Sequence, residues 1–179
     1  MSYLDQIHSD TTVRPLADGA WSVDPGHSEI GFAVKSIWGL QTIRGVFGIY
    51  EGSLRVGAGQ AVGELTIESA SLDSGHKRRD RHLRSSDFFD SERYPRIVFT
   101  STSLVARNDG ATITGELAIG SSRLRLEIPV CVEETTDDGV RLEGKITVPR
   151  KAVGLSWNWL GTISDDAVLH ARLELRRHG

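Results

Sequence analysis

Over long stretches the apolar residues of this chain recur at every second position. Leu124, Leu126, Ile128, Val130 and Val132 share one parity, and Arg123, Arg125, Glu127 and Glu133 hold the other. That alternation marks a half-buried β-strand, whose successive side chains point to opposite faces. After Asp137-Asp138-Gly139 the pattern resumes in Val140, Leu142, Ile146 and Val148, opposite Arg141, Glu143 and Lys145, so the two segments read as a hairpin. The last segment repeats it, with Leu169, Ala171, Leu173 and Leu175 inward and His170, Arg172, Glu174 and Arg176 outward. Earlier strands are expected over Trp21–Val23, Ile30–Trp38, Gly45–Val56, Gly63–Leu72, Ile97–Arg107 and Thr112–Ile119. Asp24-Pro25-Gly26, Gly57-Ala58-Gly59, Asn108-Asp109-Gly110 and Gly120-Ser121-Ser122 supply the turns between them.

This is an all-β chain of about eight or nine sequential strands, each with one greasy and one charged face. Such strands close into a barrel or pack as two sheets, and periodicity does not choose between the two. A barrel of about eight strands is near the size that either fills with its own side chains or encloses one slender ligand. One segment breaks the rhythm: between Ser74 and Arg93 the alternation is lost, and Lys77 to Arg84 reads as a short helix, placed to lie across a barrel mouth.

The inward parity collects the candidate ligand-binding residues. Phe32, Val34, Phe47, Ile49, Leu65, Ile67, Phe99, Leu117, Leu126, Ile128 and Ile146 form an uncharged lining, to which Trp38, Phe88 and Phe89 add aromatic surface. Trp157 and Trp159 share parity and would form one aromatic wall, in a core or against a ligand. Ser101, with Ser69, Ser71 and Ser103, is an inward hydroxyl suited to a ligand head group or to backbone groups near strand ends. A solid core and a hollow one leave the same alternation, so both stay open. If the interior is hollow, magnitudes select the guest. Burial yields roughly 0.8 kcal/mol per methylene, against an association cost of about 4–15 kcal/mol. Tight binding therefore calls for a chain of about fifteen carbons or more.

The 179 residues suffice for one domain with a real core. Lys plus Arg numbers 21 and Asp plus Glu 24, a net charge of −3, which argues against a nucleic-acid partner. The basic run His76 to Arg84 lacks the interleaved aromatics of a nucleic-acid site. It reads as a solvated helix in which Asp80 pairs with a neighbouring Arg, or as a transient contact with a membrane surface. His76 and His82 are six apart, outside helical ligand spacing, so neither metal nor cofactor is expected. His27, Ser28 and Glu29 lack a nucleophile elbow, and no catalysis is expected. The single cysteine, Cys131, has outward parity and excludes an internal disulfide. The first twenty residues show no apolar run or cleavage pattern, so a cytoplasmic location is expected, with 1–19 flexible and the domain over 20–177.

Several ordered segments resemble the YceI family of lipocalin-like polyisoprenoid-binding proteins. They are Trp21 through Phe32, Arg44-Gly45-Val46-Phe47 followed by Gly52, Arg79 through Asp90, and Tyr94 through Thr102, with Arg150 and Gly154 near the end. The chain departs from the family pattern at Lys35-Ser36, where an Arg-His pair is common, and over Glu116 to Arg123. The resemblance implies an eight-stranded antiparallel lipocalin-like β-barrel whose tunnel holds a polyisoprenoid, an isoprenoid quinone or a fatty-acyl lipid for storage or transport. It also implies a homodimer. A filled barrel serving as an interaction or stress-response module is the alternative.

Overall fold

The computed structural model describes residues 16–37, 39–58, 60–107, 110–136, 138–158 and 161–178. Its strands are β1 (Gly19–Val23), β2 (Glu29–Ser36), β3 (Gln41–Phe47), β4 (Tyr50–Gly57), β5 (Gln60–Glu68), β6 (Leu72–Asp73), β7 (Arg96–Arg107), β8 (Gly110–Ile119), β9 (Ser122–Thr136), β10 (Gly139–Pro149) and β11 (Ile163–His178). The one α-helix among the described residues, α1 (Lys77–Arg84), has the bounds its sequence predicts. Strands β1, β4, β5, β7, β8, β9, β10 and β11 pair in that order, and β11 pairs back onto β1, so eight antiparallel strands close a barrel. Closure satisfies both edges of the ring and answers the choice that periodicity leaves open.

The remaining strands arise from breaks in otherwise continuous staves. The long β11 shares one edge between β1, which takes Leu175 to His178, and β2, which takes residues between Ile163 and Arg172. Strand β2 then pairs with β3, and β3 with β6, forming a flap that branches from the ring. Between β1 and β2 the chain turns at Pro25, which has no N–H to give a ladder. Asp24 holds that turn, its Oδ1 accepting from the Gly26 N–H at 3.0 Å.

The expected single strand Gly45–Val56 is in fact two. Gly48 N–H donates to Ser71 O at 3.1 Å and Ile49 O accepts from Glu68 N–H at 2.9 Å, so the chain steps out of register there. The extra residue resets parity: Phe47 and Tyr50 are buried, whereas Ile49 is 58% exposed. Ile49 is thus removed from the expected lining. The expected strand Gly63–Leu72 likewise stops at Glu68, and Ser69 to Ser71 form a tight turn. The Ser69 hydroxyl donates to Tyr94 O and that of Ser71 to Glu68 O, so both serve the backbone.

At the N-terminus, residues 1–15 of the expected flexible segment lie outside the described residues. Leu16 is buried with Trp21, Val140, Leu142 and Leu175, and Trp21 Nε1 donates to Ala17 O at 3.1 Å, so packed structure begins ahead of residue 20. Cys131 is exposed, as its parity predicts.

Two substitutions probe this packing. Arg125 is exposed on β9, and Arg125→Ala is expected to change stability by less than about 0.5 kcal/mol in a thermal melt. Gly115 on β8 is the opposite case, because a Cβ there would meet Phe99 Cζ and the Thr100 carbonyl oxygen at 2.5 Å each. Gly115→Val is expected to cost about 1–3 kcal/mol in the same melt.

Candidate functional site

The barrel interior holds a cavity of about 370 Å³, within the range typical of small-molecule sites. A solid interior, the premise of the filled-barrel alternative, is not what the fold forms. The hollow also shows in the side chains themselves. Val34, Leu65, Phe99, Ile128, Ile146, Leu169 and Leu173 pack on the buried core, yet each is only partly buried because it borders open space.

The expected lining residues Phe32, Val34, Phe47, Leu65, Ile67, Phe88, Phe89, Phe99, Leu117, Leu126, Ile128, Ile146 and Trp157 all border this cavity. Trp38 and Trp159 lie outside the described residues. Ser101 belongs elsewhere. It sits at a bulge in β7, accepts from Gly63 N–H at 2.8 Å and faces a smaller hollow of about 80 Å³ with Ser53 and Glu64. Its hydroxyl is used by the neighbouring strand.

One end of the barrel is built by the non-repetitive segment. There the flap β2-β3-β6 lacks a strand neighbour beyond β6 among the described residues, and α1 with the turn behind it fills the gap before β7. Leu83 and Phe89 are the apolar anchors of this insert. The Phe89 ring meets Phe47 edge-on at 5.9 Å and Phe32 at 6.3 Å, joining the insert to β2 and β3. Gly45 makes room for that cluster, since a Cβ there would lie 2.6 Å from Phe32 Cζ. Beside it, His82 stands edge-on to Phe88 at 5.2 Å and to Trp157 at 4.6 Å.

The helix is fixed by polar contacts that differ from the expected Asp80–Arg pair. Asp80 is buried, and its Oδ1 accepts from both the N–H (2.9 Å) and the hydroxyl (2.5 Å) of Ser74. Arg79 grips the same residue, Nε donating to Ser74 Oγ at 2.8 Å and Nη2 to Ser74 O at 2.6 Å. Burial alone would raise the Asp80 carboxyl, but the two Ser74 donors and the charges of Arg84 and Arg79 bring it below its ordinary value. A depressed carboxyl stabilises the fold above its unfolded value and loses that contribution as pH falls through the folded one. The stability gap between wild type and Asp80→Ala is therefore expected to be full above about pH 4 and to close below it, measured as melting temperature against pH.

Missed by the strand pattern were the charged members of the wall. Arg79, His82 and Arg150 border the cavity at the α1 end. Arg150 opens the turn Arg150–Val153 after β10 and is 2% exposed. Its Nε donates to Ser164 O at 2.6 Å, and its Nη1 to Leu155 O at 2.7 Å and Trp157 O at 3.3 Å. Burial draws this guanidinium below its ordinary pKa, with only the charge of Asp165 opposing. No alternation signals such a residue. The hints are an Arg placed just after a strand otherwise patterned for the core and its place, with Gly154, in the segment that resembles the family. Lys145 and His170 also adjoin the cavity but carry outward parity. Among the described residues the lining contains no Asp, Glu, Ser or Cys.

A closed antiparallel barrel with an apolar interior, capped at one end by a short helix, is a lipocalin-type architecture. The YceI-like domain model matches residues 21–175. The chain belongs to the YceI family. It is 31% identical over 156 residues to a UPF0312 protein of Pseudomonas aeruginosa, covering 83% of this chain and 81% of that one. Another curated relative, a UPF0312 protein of Photorhabdus laumondii, is matched over about half its length (51%). Among solved structures the barrel is similar to BcnA of Burkholderia cenocepacia, with a TM-score of 0.78, 21% identity and coverage of 85% of this chain and 98% of that one. It is also similar to a polyisoprenoid binding domain from Saccharophagus degradans, with a TM-score of 0.73, 14% identity and coverage of 88% and 98%.

Proposed function

We propose that this protein binds a long apolar molecule inside the barrel and stores or carries it without chemical change. Polyisoprenoids, isoprenoid quinones and fatty-acyl lipids are the ligand classes. The observation that carries the reading is the 370 Å³ cavity with its apolar wall. Removing a fifteen-carbon tail from water yields about 12 kcal/mol at 0.8 per methylene, enough to offset most of the cost of association. The name of the Saccharophagus degradans domain agrees with such a ligand. A binding rather than catalytic role is supported by the lining, which brings no nucleophile or carboxylate to the cavity among the described residues.

Transient contact with a membrane surface belongs to the same reading. Ile37 is 44% and Leu40 86% exposed at the β2–β3 turn, between the cations Lys35 and Arg44. Strand β11 opens beside this turn, Ile163 pairing with Ser36, and Ile163 borders the cavity. A homodimer, which family resemblance implies, would find exposed apolar surface at Val46 and Ile49.

Organic extraction of the purified native protein followed by mass spectrometry is expected to recover a long-chain compound at about one per barrel. Repeated preparations that yield none, together with no uptake of added isoprenoids or fatty acids, would overturn the proposal.

A further inference from the structure

We infer that the cavity prefers a chain ending in an anionic oxygen group, a carboxylate or a phosphate, and that Arg150 receives that group. The inference rests on the lipid-binding reading and adds the chemistry of the ligand's head and the end of the barrel where it lies.

Arg150 is a buried cation with no ion-pair partner among the described residues, Asp165 acting on it only from beyond ion-pair distance. Its three hydrogen bonds all go to backbone carbonyls, those of Ser164, Leu155 and Trp157. Among the described residues no carboxylate comes within ion-pair distance of it, and Asp165 instead pairs with Lys151 at 3.2 Å. The third nitrogen, Nη2, is buried and has no hydrogen-bond partner among the described residues. A clamp for the 155–164 segment needs only Nε and Nη1, so a structural role leaves both the charge and Nη2 unexplained. Buried charges in proteins are normally paired, and orphaned buried donors are uncommon. A planar guanidinium with a free donor is well suited to a carboxylate or phosphate oxygen.

The rest of the wall has the matching sign. Arg79 and His82 stand at the same end, and no acid lines the cavity among the described residues, although the whole chain carries a net charge of −3. Arg79 is engaged with Ser74, and His82 Nε2 lies 3.3 Å from Asp87. Arg150 is therefore the buried cation at this end with capacity to spare, Lys145 being exposed on the outward parity and His170 lying 3.4 Å from Glu29. An alcohol head would satisfy its hydrogen bond but leave its charge uncompensated, which sets the direction of the selectivity.

The test uses the full-length protein stripped of lipid, with Nile red as a neutral reporter displaced by matched pairs of competitors. Farnesyl phosphate is compared with farnesol, and hexadecanoate with hexadecanol, at pH 7.5. In wild type each anion is expected to bind at least about tenfold more tightly than its alcohol. In Arg150→Gln this preference is expected to vanish, each anion falling to the affinity of its alcohol, and Arg150→Lys is expected to recover part of it. Comparing the two anions shows whether a carboxylate or a phosphate is the better head. Equal binding of anion and alcohol by wild type would overturn the inference and leave lipid binding standing, a result that needs no variant to fold. A preference that survives Arg150→Gln would overturn the assignment to Arg150. Failure of every competitor and of the reporter to bind would overturn the lipid-binding reading, and this inference with it.

Discussion

Phe99→Asp is expected to abolish uptake of long-chain probes, lowering affinity by at least a hundredfold while the barrel still forms. Phe99 lies near the middle of the wall, on β7 between Leu65 of β5 and Leu117 of β8. Its ring is only partly buried because one side borders the cavity. A carboxylate at this point has two ways to exist, and both defeat an apolar guest. Ionised, it retains water along the path of the chain. Neutralised, it spends free energy on a raised pKa and still leaves a polar group against methylenes. Either cost is several kcal/mol, and every 1.4 kcal/mol is a factor of ten in affinity. Displacement titrations with a fluorescent apolar probe, run beside circular dichroism and a thermal melt, measure this directly. Retained uptake by a folded variant would mean that the guest does not occupy the cavity.

The second large effect is expected from Phe89→Ala. Phe89 is buried, and its contacts with Phe32 and Phe47 tie the helical insert to β2 and β3. Truncating a buried Phe typically costs about 3–5 kcal/mol. Part of that loss falls on the attachment of α1 rather than on the ring of strands, because Phe89 belongs to the insert. Ligand exchange should therefore accelerate as the melting temperature drops. Stopped-flow dissociation of a bound fluorescent lipid against an unlabelled competitor gives the rate, and calorimetry gives the stability. A lower melting temperature with an unchanged rate would show that the insert does not control access.

The regular part of the molecule was legible in the sequence because a strand with one buried face must alternate. The later strands follow their predicted parity except at Glu174, expected outward but buried against Thr135 and Arg141, and the helix has its predicted bounds. Family resemblance supplied the closed eight-stranded ring, which alternation shares with a sandwich. The errors lie where one residue interrupts a stave. Ile49 has the parity of Phe47 on paper, but the step at Gly48 turns it outward, and no hydropathy pattern marks a one-residue shift. Ser101 reads as a head-group hydroxyl, yet the bulge in β7 brings it to the backbone of Gly63. Arg150 was hidden for the opposite reason. A buried guanidinium contradicts the rule that charges face water, and only carbonyls of the chain that follows it, those of Leu155, Trp157 and Ser164, make its place tolerable.

The interruptions are not spread evenly around the wall. Strands β1 to β6 span 2 to 9 residues with chain breaks between them, whereas β7 to β11 span 10 to 16 and are interrupted only by local register shifts such as the bulge at Ser101. Such an arrangement gives the cylinder a stiff half and a compliant half. Amide protons of the first six strands should exchange with deuterated solvent sooner than those opposite, because shorter ladders open at lower free energy. Breathing along that softer side would let a guest broader than the resting bore pass without dismantling the shell.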